Sequence, residues 1–250
     1  MRPAILMGWT LVIAIVLAFF FGTPVSAQEP RDGVRISSFI GVENRSILDP
    51  GITPYSQPVL NLSTTAIYPN GWGINVFHST GLGSCFENEA CGSQETDPLE
   101  VFYTKRDGNW SALVKASYFA LGPIKDSEGD VVQLKLRVEY QGWKRLFPYV
   151  DTNYQVLIGD SGGLALTHLG VRYAVPIGER WSVAGYGDLT YDSAPFQDNG
   201  FLGRGELGLW RQMTPKLSVG AWTKLRTPFS RFKDTDRQGW AFGLGANYNW

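Results

Sequence analysis

Beyond residue 30 the chain alternates between apolar and polar positions. Val132, Leu134, Leu136, Val138 and Tyr140 interleave with Gln133, Lys135, Arg137, Glu139 and Gln141. Successive side chains of an extended strand point to opposite faces, so this run has one apolar and one densely charged face. Leu217, Val219, Ala221, Thr223 and Leu225 oppose Ser218, Gly220, Trp222, Lys224 and Arg226 in the same way. So do Val150, Thr152, Tyr154, Val156 and Ile158 against Tyr149, Asp151, Asn153 and Gln155. No segment after residue 30 shows the longer period of an amphipathic helix. The pattern predicts about twelve strands, at 33–44, 58–68, 72–80, 98–106, 110–119, 131–141, 146–158, 164–175, 181–191, 201–211, 217–227 and 239–250.

The connections alternate in length. Pro69-Asn70-Gly71, Asp107-Gly108-Asn109, Gly142 to Arg145, Pro176 to Arg180 and Gln212 to Lys216 are short and rich in turn formers. Between them lie longer polar segments at 45–57, 81–97, 120–130, 192–200 and 228–238, and a short one at 159–163. A soluble β-sandwich would also alternate. Three features favour a membrane barrel instead. The strands run about ten residues, the length a tilted membrane strand needs. The polar faces mix Gly, Asn, Ser and Tyr with charge, as a crowded lumen does. Trp72, Trp110, Trp143 and Trp181 sit in or just after short turns and Trp210 just before one, predicting an aromatic belt at headgroup depth.

Residues 1–27 have a different character. Arg2 is the only charge before Glu29, an apolar run follows, and Val25-Ser26-Ala27 ends it with small residues. That is the form of a secretory signal cut after Ala27, leaving 28–250 as the barrel. An uncleaved anchor helix is the alternative, because the run is long enough to span a bilayer. Composition narrows function. With 22 Lys+Arg against 23 Asp+Glu the chain is nearly neutral, which argues against nucleic acid as a partner. Two cysteines without zinc-ligand spacing predict neither a metal nor a cofactor.

The terminal WAFGLGANYNW, with Trp240, Phe242, Leu244, Tyr248 and Trp250 on one face, resembles the C-terminal signal of bacterial outer-membrane proteins. With the signal peptide, the whole chain looks like a Gram-negative outer-membrane β-barrel. The stretches QPVLNL…NGWGINVFHSTGL and DPLEVFYTKRDGNWS are loosely similar to porin-like families of proteobacteria. The resemblance implies an all-β, antiparallel meander barrel in the outer membrane, inserted by the barrel-assembly machinery and surrounded by lipid and lipopolysaccharide. A monomer passing small solutes is expected.

With both termini and the short turns on the periplasmic side, parity sends Arg35, Glu43, Glu100, Lys115, Lys135, Arg137, Glu139, Asp151, His168, Arg172, Asp188, Arg204, Glu206, Lys224 and Arg226 into the lumen. Most of the bases lie in the second half of the chain. They form either a basic wall that draws anions or a network neutralising Glu139, Asp151, Asp188 and Glu206, and the two readings are compatible. A barrel of about twelve strands is narrower than the wide porins, so a selective channel is expected.

Cys85 and Cys91 flank FENEA in the longest outer loop and are expected to form one disulfide. Glu87, Glu89, Glu95 and Asp97 beside them read as a solvated loop face, with divalent cations between lipopolysaccharide phosphates as the alternative partner. A lipid hydrolase would need His-x-Ser on the lipid side of a strand, because residues two apart share a face. His78 instead shares its face with Thr80, while Ser79 points the other way. The function expected is a passive channel for small hydrophilic, preferentially anionic, solutes. A non-conducting interaction barrel and a hydrolase at His78 are the alternatives. Mass spectrometry of membrane-purified protein should give residues 28–250, gaining one hydrogen per cysteine sulfur on reduction.

Overall fold

The computed structural model describes residues 33–45, 58–82, 95–120, 130–158, 163–192, 200–229 and 239–250. The signal segment, Cys85 and Cys91, and Glu87 and Glu89 lie outside the described residues. The strands are β1 (Arg35–Glu43), β2 (Val59–Ile67), β3 (Trp72–Gly81), β4 (Glu95–Asp107), β5 (Trp110–Ala120), β6 (Val131–Tyr140), β7 (Leu146–Leu157), β8 (Gly163–Ile177), β9 (Trp181–Asp192), β10 (Gly200–Gln212), β11 (Leu217–Phe229) and β12 (Gly239–Asn249). Each pairs antiparallel with its neighbours in sequence, and β1 pairs with β12 from Ser37↔Asn249 to Glu43↔Gly243, closing the barrel.

Closure is what lets strands cross lipid, because every ladder N–H and C=O then has a partner and no edge is left. Among the described residues no helix is long and apolar enough to cross a membrane. The exterior is apolar: Ile40, Val76, Leu99, Leu134, Leu169, Leu207 and Leu244 are all half exposed or more. The interior is polar, with Asp151, Asn153, Gln155, His168 and Thr190 almost wholly buried. A surface of this kind, inverted from that of a soluble protein, is stable only when lipid covers the outside.

Aromatic girdles mark the two ends of the wall. At the short-turn end Trp72 packs on Tyr103 at 5.3 Å, Trp110 on Tyr140 at 5.0 Å, and Tyr140 on Trp143 at 6.0 Å. Trp181 completes this girdle beneath the Arg211 guanidinium, 5.4 Å away. At the long-loop end Tyr191 meets Phe201 at 5.0 Å and Trp240 meets Phe242 at 4.5 Å. The sequence pattern predicts the first girdle, and the structure adds the second.

Trp210 corrects the expected belt. In the β10–β11 ladder it lies opposite Gly220, on the face that carries Arg204 and Glu206, so its ring is inside the barrel. Its plane lies within 11° of Trp222, with centroids 5.8 Å apart. Closeness to a turn placed it at the right height, but its parity places it on the inner face. Glu95 and Asp97, expected in a loop, belong to β4.

Glycine makes room for these inner rings. A Cβ on Gly243 would lie 2.2 Å from the Trp222 ring, and one on Gly220 would lie 2.5 Å from Trp210. Gly71 serves a turn: at φ +91° it takes a conformation that side chains disfavour, and a Cβ there would strike Thr104 O at 2.3 Å. Its carbonyl accepts from Thr104 N at 2.9 Å, tying the β2–β3 turn to β4. Gly243→Ala should therefore cost about 1–3 kcal/mol through overpacking. Gly205→Ala, where the nearest atom stands at 3.5 Å, should be nearly neutral in the same urea titration of the lipid-inserted barrel.

Candidate functional site: the barrel interior

The lumen is lined by whatever the inward parity of each strand supplies. On β4 to β10 it supplies charge. Asp151 on β7 accepts from Lys135 at 2.7 Å and from Arg137 Nη2 at 2.6 Å, both donors arriving from neighbouring β6. Glu139 takes a two-pronged bond from Arg172 across the intervening β7, at 2.6 Å on each oxygen. Asp188 on β9 is held by Arg204 Nε at 2.9 Å and Nη2 at 2.7 Å. Tyr149 also donates to Asp188, at 2.8 Å. Glu100 pairs with Lys115 and accepts from Asn75 at 2.9 Å. Across the barrel, Glu43 pairs with Lys224 and accepts from Trp222 Nε1 at 2.9 Å. Glu206 stands opposite Lys224 in the β10–β11 ladder, and Arg226 opposite Arg204.

The layering of these pairs decides which charges face the lumen. The carboxylates lie against the wall, with side-chain exposures of 1% for Asp151, 3% for Glu139 and 0% for Asp188. Their cationic partners are more exposed: Arg137 is 25% exposed, Arg172 45% and Arg204 15%, and Lys224 at 26% likewise covers Glu43 at 4%. Among the described residues these pairs bring six cations to five carboxylates. In each of these pairs the cation is the more exposed partner. Aromatic rings brace the guanidinium groups, Arg137 lying 4.4 Å from the Tyr149 centroid and Arg172 5.7 Å from that of Phe147.

His168 lies fully buried at the centre of the charged wall. Its Nδ1 is 2.8 Å from Arg204 Nη2 and 2.7 Å from Thr190 Oγ1. A guanidinium only donates, so Nδ1 accepts and the ring proton sits on Nε2. Nε2 is 2.9 Å from the Asn153 amide, whose oxygen otherwise lacks a partner. The bond is satisfied when that oxygen faces the ring, which is the amide orientation the network requires. His168 is thus held as a cross-strand tie. The described residues contain no group of three or more His, Cys, Asp or Glu able to hold a metal.

The charged residues share their inward parity with Tyr149, Asn153, Thr190 and Trp222, which the sequence reading does not single out. A search for charge alone passes over them. His78 faces outward opposite Leu62, whereas Ser79 faces inward and donates to Asn61 at 2.8 Å. The hydroxyl nearest His78 in sequence is therefore committed on the far side of the wall.

No family model matches the chain, and no curated protein matches it. Solved structures do. The chain is similar to the NanC porin at 14% identity and TM-score 0.57, covering 85% of this chain and 98% of that one. It is similar to the KdgM porin at 12% identity and TM-score 0.55, covering 86% and 99%. A further structure of KdgM, in complex with disordered oligogalacturonate, gives TM-score 0.54 at 12% identity, covering the same 86% and 99%. At these identities the likeness is one of fold, and the fold is that of outer-membrane porins.

Removing Asp151 should leave Lys135 and Arg137 facing one another without their carboxylate. Asp151→Ala is expected to cost on the order of 3 kcal/mol. Adding Arg137→Ala should recover part of that loss in urea unfolding of the folded barrel, as coupled neighbours do.

Proposed function

We propose that the protein is a monomeric outer-membrane channel through which small hydrophilic anions diffuse passively. The observation that carries this reading is the layering of the lumen, with buried carboxylates behind more exposed Lys and Arg. A lumen wall of one sign concentrates the opposite ion and repels its own, which biases a narrow pore. The porin fold supports passage rather than chemistry, as does the commitment of Ser79 away from His78. The outward aromatic face of β12, ending at Trp250, suits the signal read by the assembly machinery.

Planar-bilayer recording of the refolded chain tests this. The reversal potential in a KCl gradient should lean toward chloride. Arg172→Gln and Lys135→Gln should each lower the chloride-to-potassium permeability ratio about twofold to fivefold, since a unit charge at close range in water is worth roughly 1 kcal/mol. A heat-modifiable, folded barrel that stays electrically silent, or one that prefers potassium, would sink the proposal.

A further inference from the structure

The lumen has a second wall whose chemistry is unlike the first. Toward the short-turn ends of β10, β11 and β12 the inward positions are aromatic, glycine, serine and amide, whereas Arg204, Glu206, Lys224 and Arg226 lie further along β10 and β11. Trp210 lies over Gly220 and Trp222 over Gly243, and Phe39 meets Trp222 at 5.6 Å. Trp222 is 6% exposed, so its faces are used up by packing. Trp210 remains partly open. It forms part of a cleft of about 420 Å3 at the short-turn mouth of the barrel, lined by Ser182, Gln212, Ser218, Asn247 and Asn249 from the strands and by Glu179, Arg180, Thr214 and Lys216 from the two adjoining turns.

The walls of that cleft are fixed. Thr214 Oγ1 accepts from Lys216 N at 3.2 Å and Leu217 N at 3.0 Å, which sets the β10–β11 turn at its rim. Asn249 N donates to Lys216 O at 2.8 Å, joining that turn to β12. Gln212 continues β10 beyond Trp210, and its N donates to Arg180 O at 2.7 Å. The cleft is thus held by two turns and β12 at once, with Ser182, Gln212, Ser218, Asn247 and Asn249 on inward parity positions.

We infer that this cleft, formed around Trp210 with the Asn247, Asn249 and Gln212 amides, is a binding subsite for a sugar ring at the short-turn mouth. The inference deepens the channel reading above and rests on it for the route by which solute arrives. The donor set selects the ligand. The amides and hydroxyls, with the Glu179 carboxylate beside Arg180 and Lys216, offer acceptors as well as donors, which matches sugar hydroxyls that do both, whereas a bare anion would call for donors alone. An indole face is apolar and electron-rich, and suits the C–H face of a pyranose. A cleft of a few hundred Å3 with one aromatic surface and several convergent polar groups has the size of a small-ligand site. The two walls divide the work: the Lys and Arg wall selects by charge, and the Trp210 cleft selects by shape and hydroxyl pattern.

Two measurements separate this inference from the channel reading. Isothermal titration of the folded barrel in detergent uses maltotriose as an uncharged sugar, trigalacturonate as a charged one, and tricarballylate as a non-sugar trianion. Both saccharides should bind, and Trp210→Ala should weaken each about tenfold, while Trp210→Phe retains most of the affinity. Tricarballylate should respond to Arg172→Gln and ignore Trp210→Ala. Asn247→Ala provides a second, milder variant should Trp210→Ala fail to fold, and is expected to weaken saccharide binding severalfold. Saccharide binding that is absent, or unchanged by both variants, overturns the subsite. The reversal potential of Trp210→Ala in KCl should stay at the unmodified value, and a change there would place Trp210 in charge selection instead. Failure of the channel reading appears separately, as a silent barrel in KCl whatever the titration shows.

Discussion

A backbone amide in hydrocarbon has no water to fall back on, and the architecture follows from that. Twelve strands satisfy each other only if the last pairs with the first, so the Ser37↔Asn249 to Glu43↔Gly243 ladder is the condition for the whole fold. It also sends every second side chain of every strand into a shared, enclosed space. Groups far apart in sequence, such as Glu43 and Lys224, become neighbours through the seam.

The same closure shapes the chemistry. A charged residue on the lipid face is costly, so charge gathers inside, where partners and water stabilise it. There the shorter carboxylates lie close to the wall, and the longer Lys and Arg chains reach past them toward the axis. In these pairs the difference in side-chain length leaves the cation more exposed than its carboxylate. On the opposite wall glycine does the corresponding work. Where Gly220 and Gly243 omit a side chain, the indoles of Trp210 and Trp222 lie against the backbone.

Much of this was legible in the chain. Period-two alternation located all twelve strands, with ends displaced by only a few residues, because one face of each strand meets lipid and the other meets water. Sides are therefore legible, but partners are not. That Lys135, Arg137 and His168 converge on Asp151 follows from the register of β6, β7 and β8, which no local pattern encodes. Trp210 shows the same limit. Its nearness to a turn suggested a membrane girdle, whereas its parity, read together with Gly220 opposite, places it within the lumen.

The sequence by itself indicated about twelve strands, their inward and outward faces and the ends at which short turns fall. Each follows from local periodicity and turn chemistry, which need no distant partner. The tertiary structure alone decided which cation covers which carboxylate, that the acids lie behind the bases, and that Trp210 borders a cleft with residues from β9, β11 and β12. Those are distances between strands, and they exist only once the barrel has closed.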